Sequence, residues 1–241
     1  MQNLQKFHFY NMRKKIFDPL AWWLSKKELH YGMEKASSNV DEIFEFSENY
    51  LGRGFYARIH SYQNPSEIIS LGRLVKEINP ETILEIGTHK GGTFFMWCRI
   101  SQNLRFIASI DLPGGKYGGG YVKARERLLR EFIYDRYNTK MCLIRDDSHK
   151  KTTYKLISSS LKKQNLDFLF IDGDHSYEGV KQDFELYSPF VKSGLIAFHD
   201  IVHESKEFGV KRFWSELKRK YHTKELIGND SNKGIGVVFI P

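Results

Sequence analysis

Two acids, each beside a histidine, follow two apolar runs of strand length. Asp172 and His175 come directly after Asp167 to Ile171 in DFLFIDGDHS, and His199 and Asp200 close LIAFHDI. Carboxylates and an imidazole brought to one point suit two tasks: holding a hard divalent cation and taking a proton from a hydroxyl. A third group stands earlier, where Glu85-Ile86-Gly87-Thr88-His89-Lys90-Gly91-Gly92 follows another apolar run and precedes a helical pattern. Glycines there let backbone approach a ligand, and the start of a helix favours a ligand carboxylate or phosphate. Asp111 ends the next apolar run, where an acid can accept hydrogen bonds from ribose hydroxyls. Together these predict a nucleotide-type ligand. The loop reads ExGxxxGG and not GxGxxG, which argues against a nicotinamide enzyme.

These groups are far apart in sequence and need a scaffold that gathers them. Alternating strand and helix patterns supply it. Strands are expected at Thr82 to Ile86, Arg105 to Ile110, Lys140 to Arg145, Asp167 to Ile171 and from Leu195. Helices are expected over Ser66 to Ile78, Thr93 to Ser101, Tyr121 to about Tyr137, Lys150 to Leu161 and Val210 to Lys220. Between Ser176, an N-cap, and Gly194, taken as the stop signal, Val180, Phe184, Tyr187 and Val191 recur at helical spacing. Such alternation marks an α/β fold with a parallel, doubly wound sheet, whose strand ends form the ligand edge. Lys224 to Ile227 and Ile235 to Ile240 read as a closing hairpin that adds an antiparallel strand.

The 241 residues suit one such domain (61–241) with an N-terminal helical cap (1–60). Within the cap, Trp22 and Trp23 sit among lysines; packing on the domain or on a second copy is expected, with peripheral contact to a membrane surface as the other use of such a stretch. No apolar run has the length of a membrane span, and two cysteines, Cys98 and Cys142, form no disulfide framework, so the cytoplasm is the expected location. The net charge is +8, and Tyr121 to Lys163 holds twelve Lys or Arg against five acids. Solvated helix faces explain such a patch without a nucleic-acid module, so no nucleic-acid partner is expected. The loop Pro113 to Tyr121, PGGKYGGGY, has the composition of a mobile cover over the site or of a plain connection.

ILEIGTHKGGT, SIDLPGG, LIRDDSH, IDGDHSYEGV and IAFHDI, in this order, resemble the class I S-adenosylmethionine-dependent methyltransferases, and most of all the branch of macrolide-sugar O-methyltransferases and cephalosporin hydroxylase-like proteins. The resemblance runs from about Pro65 to Ile240. It implies a Rossmann-like sheet of seven strands with the last antiparallel. It implies S-adenosylmethionine as cofactor, with Glu85, Gly87 and Gly91 along its methionine part, Thr88 and Asp172 nearby, Asp111 at the ribose, and Asp147 with Ser148 at the adenine. It implies a divalent metal, magnesium, on Asp172 and Asp200, and His175 as the base that frees a hydroxyl of a small-molecule or glycan acceptor.

Two positions depart from the family pattern. Relatives often carry an acid where this chain has Ile201, which leaves the metal site one carboxylate short, so that it binds weakly, recruits Asp174 or His203, or is lost. Asp146 stands where glycine is common, beside the adenine position. Rival readings are a nucleic-acid methyltransferase, disfavoured because no NPPY or DPPY tetrapeptide is present, and a binding protein that keeps the fold without turnover. His199 reads as either a site or a core residue, and His89 and His149 as loop histidines.

Overall fold

The computed structural model describes residues 2–36, 39–114, 120–205, 207–229 and 231–241, with side chains from Asp18 onward. The centre of the glycine-rich loop, 115–119, which the sequence marks as a cover or a connection, lies outside the described residues.

Seven strands form one sheet: β1 (Thr82–Ile86), β2 (Phe106–Asp111), β3 (Lys140–Arg145), β4 (Leu166–Ile171), β5 (Val191–His199), β6 (His222–Leu226) and β7 (Ile235–Ile240). Their spatial order is β3-β2-β1-β4-β5-β7-β6. The first five run parallel, and β7 is antiparallel to both of its neighbours. The chain winds outward from β1 to β3 and then returns to place β4 on the other side of β1. This reversal opens a crevice at the carboxyl ends of β1 and β4.

Among the described residues there are eight α-helices: α1 (Gln2–Lys35), α2 (Val40–Asn49), α3 (Pro65–Ile78), α4 (Gly92–Ile100), α5 (Glu126–Glu131), α6 (Lys151–Leu161), α7 (Tyr177–Tyr187) and α8 (Val210–Leu217). Because strand side chains alternate, the inner strands feed two cores. Ile83, Phe168, Phe170 and Ala197 pack on one face with residues of α1 to α5, while Leu84, Leu169, Ile171 and Phe198 pack on the other with α6, α7 and α8. Trp22, Leu29, Val40, Ile43 and Tyr56, all from the first sixty residues, belong to the same apolar cluster as the first face of the sheet. Trp22 is buried and meets the Tyr56 ring edge-on at 4.9 Å, whereas Trp23 points outward.

Local chemistry sets the element ends. The Asn64 side chain caps α3, with Pro65 in its first turn, and Asn79 in the left-handed conformation closes it. Ser176 caps α7 as expected, through the amide of Gly179. Gly194 does not stop that helix. Ser188-Pro189-Phe190 ends it in a short 3-10 turn, and Val191 already opens β5. Gly194 lies inside the strand at φ 137°, where a Cβ would stand 2.1 Å from the Asp167 carbonyl oxygen. The basic helix after Tyr121 is also shorter than expected, a 3-10 turn over Lys123–Arg125 followed by the single short helix α5.

Candidate active site

A cleft of 860 Å³ lies at the β1/β4 crevice. Its lining includes Ile86 to His89, Gly92, Thr93, Asp111, Asp146 to His149, Asp172 to Ser176, His199 and Asp200, together with His60 to Gln63.

The glycine-loop end is built from backbone. Gly87 has φ 94°, and a Cβ there would stand 2.0 Å from the Asp172 carbonyl oxygen, so only glycine lets β1 pass the end of β4. The Gly87 amide donates to Ile110 and the Asp172 amide to Ile86, which ties the ends of β1, β2 and β4 together. Thr88 is buried and hydrogen-bonds Ser109. Gly91, at φ 88°, opens α4, and a Cβ on Gly92 would strike the Ser61 amide. Asp111 is buried at the end of β2, where its Oδ2 accepts from the His89 amide at 2.7 Å. Burial pushes its pKa up to about 6, against that hydrogen bond.

Glu85 and Gly91 stand outside the cleft lining. Glu85 is wholly buried beneath the loop and accepts from the indole of Trp97 at 2.7 Å. Burial raises its pKa to about 8, so it is protonated at neutral pH. Asp147 and Ser148 do line the cleft after β3, with Asp146 beside them. Asp146 is held by Lys150 at 2.6 Å, and Asp147 accepts from the His149 amide. His149 is no bare loop histidine, since its Nε2 stands 3.1 Å from the buried Asp183 of α7.

The acid end is built from side chains. Asp172 Oδ1 lies 3.1 Å from His199 Nδ1, which also stands 3.4 Å from Asp200 Oδ2. Asp200 Oδ2 in turn lies 3.0 Å from His175 Nδ1. Asp172, His175 and Asp200 each offer one ligand atom, and these atoms lie within 4.8 Å of one another. Burial disfavours the charged form of His199, but Asp172 and Asp200 outweigh it and raise its pKa to about 10. Burial opposes the charged form of His175 too, and again the two acids prevail and raise its pKa. Asp200 moves the other way, held well below the usual carboxylate range because His175 and His199 overcome the cost of burial. It also adopts φ 63°, a left-handed conformation that costs a non-glycine residue about 1–3 kcal/mol and recurs at functional sites.

Ile201 explains itself in this geometry. Its side chain is buried in the α7/α8 core, so the position after Asp200 faces away from the cluster. The third ligand-type group comes from His175, and neither Asp174 nor His203 belongs to the cluster. Asp174 accepts from the Ser176 amide, and His203 stacks on Phe208.

Gln63 is the site residue that sequence reasoning missed. Its Nε2 donates to Asp172 Oδ2 at 2.7 Å, across 109 residues of chain, and its Oε1 is buried with no partner among the described residues. Nothing in the local sequence marks it, because it precedes the α3 cap in an ordinary turn. Around it, Lys90 Nζ donates to the Tyr62 hydroxyl at 2.9 Å and Lys233 Nζ to the Tyr62 carbonyl at 2.6 Å.

Residues 84–201 match a family described as a methyltransferase domain. An uncharacterized protein of Sinorhizobium fredii is 28% identical over 156 residues, covering 60% of this chain and 16% of its own length. One of Acanthamoeba polyphaga mimivirus is 27% identical over 154 residues, 64% of this chain and 63% of its own length. The chain therefore spans less than two thirds of either relative. Among solved structures, an O-methyltransferase from Bacillus cereus in complex with SAH has TM-score 0.55 at 18% identity, covering 84% of this chain and 91% of that one. A putative caffeoyl-CoA O-methyltransferase from Staphylococcus aureus has TM-score 0.56 at 18% identity, with 90% and 100% covered. A calicheamicin methyltransferase has TM-score 0.55 at 15% identity, with 71% and 76% covered. At these identities the likeness is one of fold.

Proposed function

We propose that this chain, whose residues 84–201 match a methyltransferase domain, is a class I S-adenosylmethionine-dependent enzyme that transfers the methyl group to a hydroxyl oxygen of a small molecule or glycan. The observation that carries the reading is the cluster of Asp172, His175 and Asp200 in the same cleft as the glycine loop and Asp111.

The two ends divide the work. The backbone at Gly87 to Gly92 lies open to close approach by the methionine part of the donor. Asp111 would accept from its ribose, and Asp147 and Ser148 would flank the adenine. Two carboxylates with converging ligand atoms fit a hard divalent cation such as magnesium, and His175 stands beside them. When bound, the cation supplies a Lewis acid that lowers the pKa of an acceptor hydroxyl. Asp172 and Asp200 would hold it, and Gln63 fixes the Asp172 carboxylate. His175, oriented by Asp200 through Nδ1, takes the hydroxyl proton as the oxygen attacks the methyl carbon. The C–O bond forms while the C–S bond breaks, leaving a methyl ether and S-adenosylhomocysteine.

The two carboxylates raise the pKa of both histidines, so a divalent cation on Asp172 and Asp200 would compete with protons at the cluster, and its affinity should rise with pH. The nucleic-acid alternative loses support, because Arg125, Arg136 and Arg145 of the basic stretch spend their guanidinium groups on backbone carbonyls.

The test is calorimetric titration of S-adenosylmethionine into metal-stripped protein, repeated with magnesium. Donor binding together with a magnesium-dependent heat abolished by Asp172→Ala is expected. Absence of donor binding under both conditions would remove the methyltransferase reading.

A further inference from the structure

Helix α1 has two faces, and the body of the protein covers one. On the covered side Trp22, Leu29 and Met33 are buried. The three acids of the helix are each engaged by the body. Asp18 accepts from the Tyr56 hydroxyl at 3.2 Å, Glu28 from the amides of Leu51 and Gly52 at 2.8 and 3.2 Å, and Glu34 from the Tyr134 hydroxyl at 3.4 Å. Lys26 and His30 both reach Glu131.

The outward stripe has another character. Leu20, Trp23, Leu24 and Tyr31, spaced for one helical face, are 53%, 56%, 37% and 58% exposed. Lys27 Nζ stands 5.4 Å over the Trp23 ring and Lys35 Nζ 4.4 Å over the Tyr31 ring. The helix continues N-terminally through residues 2–17, a stretch that contains Lys6, Arg13, Lys14 and Lys15 and no acid. Residues 1–35 thus hold seven Lys or Arg against three acids, and the acids are spent on internal contacts.

We infer that α1 is a peripheral membrane anchor that lies along the surface of an anionic lipid bilayer. An interfacial helix needs an apolar stripe carrying Trp and Leu, basic residues that reach lipid phosphates, and an excess of base over acid on the face turned to the surface, where Lys27 and Lys35 here outnumber Glu34. The outward stripe of α1 meets each requirement, and aromatic rings beside ammonium groups suit the headgroup level. Among the described residues no helix is long and apolar enough to cross a membrane, so the helix lies on the bilayer and does not span it. A second copy is a poorer occupant. Apposing two such faces would set Lys27, Lys35 and their basic neighbours against themselves, with only Glu34, already held by the Tyr134 hydroxyl, to complement them. Nucleic acid would satisfy the charges but leave Leu20, Trp23 and Leu24 in water.

The test is flotation of the full chain with vesicles of phosphatidylcholine containing about 30 mol % phosphatidylglycerol, against phosphatidylcholine alone, at about 0.05 and 0.5 M salt. Co-flotation with the anionic vesicles only is expected, falling about tenfold at the higher salt and about tenfold in the Trp23→Ser/Leu24→Ser variant. Because both side chains are exposed, that variant should keep the unfolding temperature and donor affinity of the parent, which separates lost membrane contact from lost fold. Lys27→Glu gives a second, apolar-neutral check and should weaken flotation in the same direction. Absence of flotation with anionic vesicles, or equal flotation of the variants, overturns the anchor. So does a dimer in sedimentation that Trp23→Ser dissociates, or salt-sensitive binding to RNA, if either occurs without vesicle binding.

Discussion

The two ends of the cleft are held in opposite ways. At the donor end, the turn from Gly87 to Gly92 and the Asp111 carboxylate are fixed by main-chain hydrogen bonds and by close backbone passages that only glycine permits. At the acid end, Asp172, His175, His199, Asp200 and Gln63 fix one another through side-chain contacts drawn from three stretches of chain. A main-chain cradle tolerates change in its neighbours. A side-chain network does not, because removing one member leaves a buried charge or dipole without its partner. Substitutions at the two ends should therefore separate donor binding from turnover.

The largest separation is expected at the acid end. Asp172→Asn and His175→Ala should each lower formation of S-adenosylhomocysteine with a hydroxyl acceptor by about 10³-fold. Donor affinity, measured by calorimetry, should stay within about threefold, and an equal loss of both would merge the two ends into one unit. At the donor end, Asp111→Asn should weaken donor affinity about 10- to 100-fold, the worth of charge-assisted hydrogen bonds to ribose. In the parent protein the same affinity should fall as pH drops through about 6, where the raised pKa of Asp111 brings back its proton and removes an acceptor. A flat titration between pH 5 and 7, each about one unit from that value, would put the ribose elsewhere.

Gln63→Ala sharpens the comparison, since this residue touches only the acid end. About a tenfold loss of turnover is expected, with donor binding unchanged and with weaker retention of magnesium as the readout of positioning. The smallest effect concerns Glu85, beneath the donor loop. Its folded pKa of about 8 lies above its ordinary 4.5, so the folded state binds the proton more tightly. The stability of the parent should then fall as pH rises from 4.5 to 8. Glu85→Gln should remove that slope and raise Tm by about 2–4 °C at the upper end of the window, a gain of about 1 kcal/mol. Loss of stability in this variant would mean that Glu85 is ionised in place.

The same contrast decided what could be read from the sequence. The strands Thr82–Ile86, Lys140–Arg145 and Ile235–Ile240 have the bounds that their apolar runs suggest, and the parallel, doubly wound character of the sheet follows from strand and helix alternation. The donor loop was legible because its chemistry is contiguous, with glycines, strand end and helix start in eight residues. Asp172, His175 and Asp200 were legible as strand-end polar groups, and the parallel sheet brings them together. Gln63 was not, since its partner lies 109 residues away and its own surroundings carry no pattern. The direction of Ile201 was equally hidden, because it depends on the left-handed turn at Asp200. Gly194 misled for a related reason: glycine serves helix ends and close strand passages alike, and only the Asp167 carbonyl beside it decides which.

The place of β7 between β5 and β6 bears on the time course of folding. Strands β1, β2 and β3, with Asp111 and the donor loop, lie within the first 145 residues and pair among themselves. Asp200 waits for more. The segment that carries it is pinned when His199 pairs with Ile235 and the Ile201 amide bonds Gly234, contacts made by the last strand in chain order. The strands that carry the acids also reach the donor side only through β4, where Ile83 pairs with Phe168 across 85 residues (168 − 83) against 34 for Phe106 and Lys140 (140 − 106), and pairing at such separation closes slowly. During refolding, affinity for the donor should therefore return before the acids reach their places, and a nascent chain would pass through a stage that can hold S-adenosylmethionine without spending it.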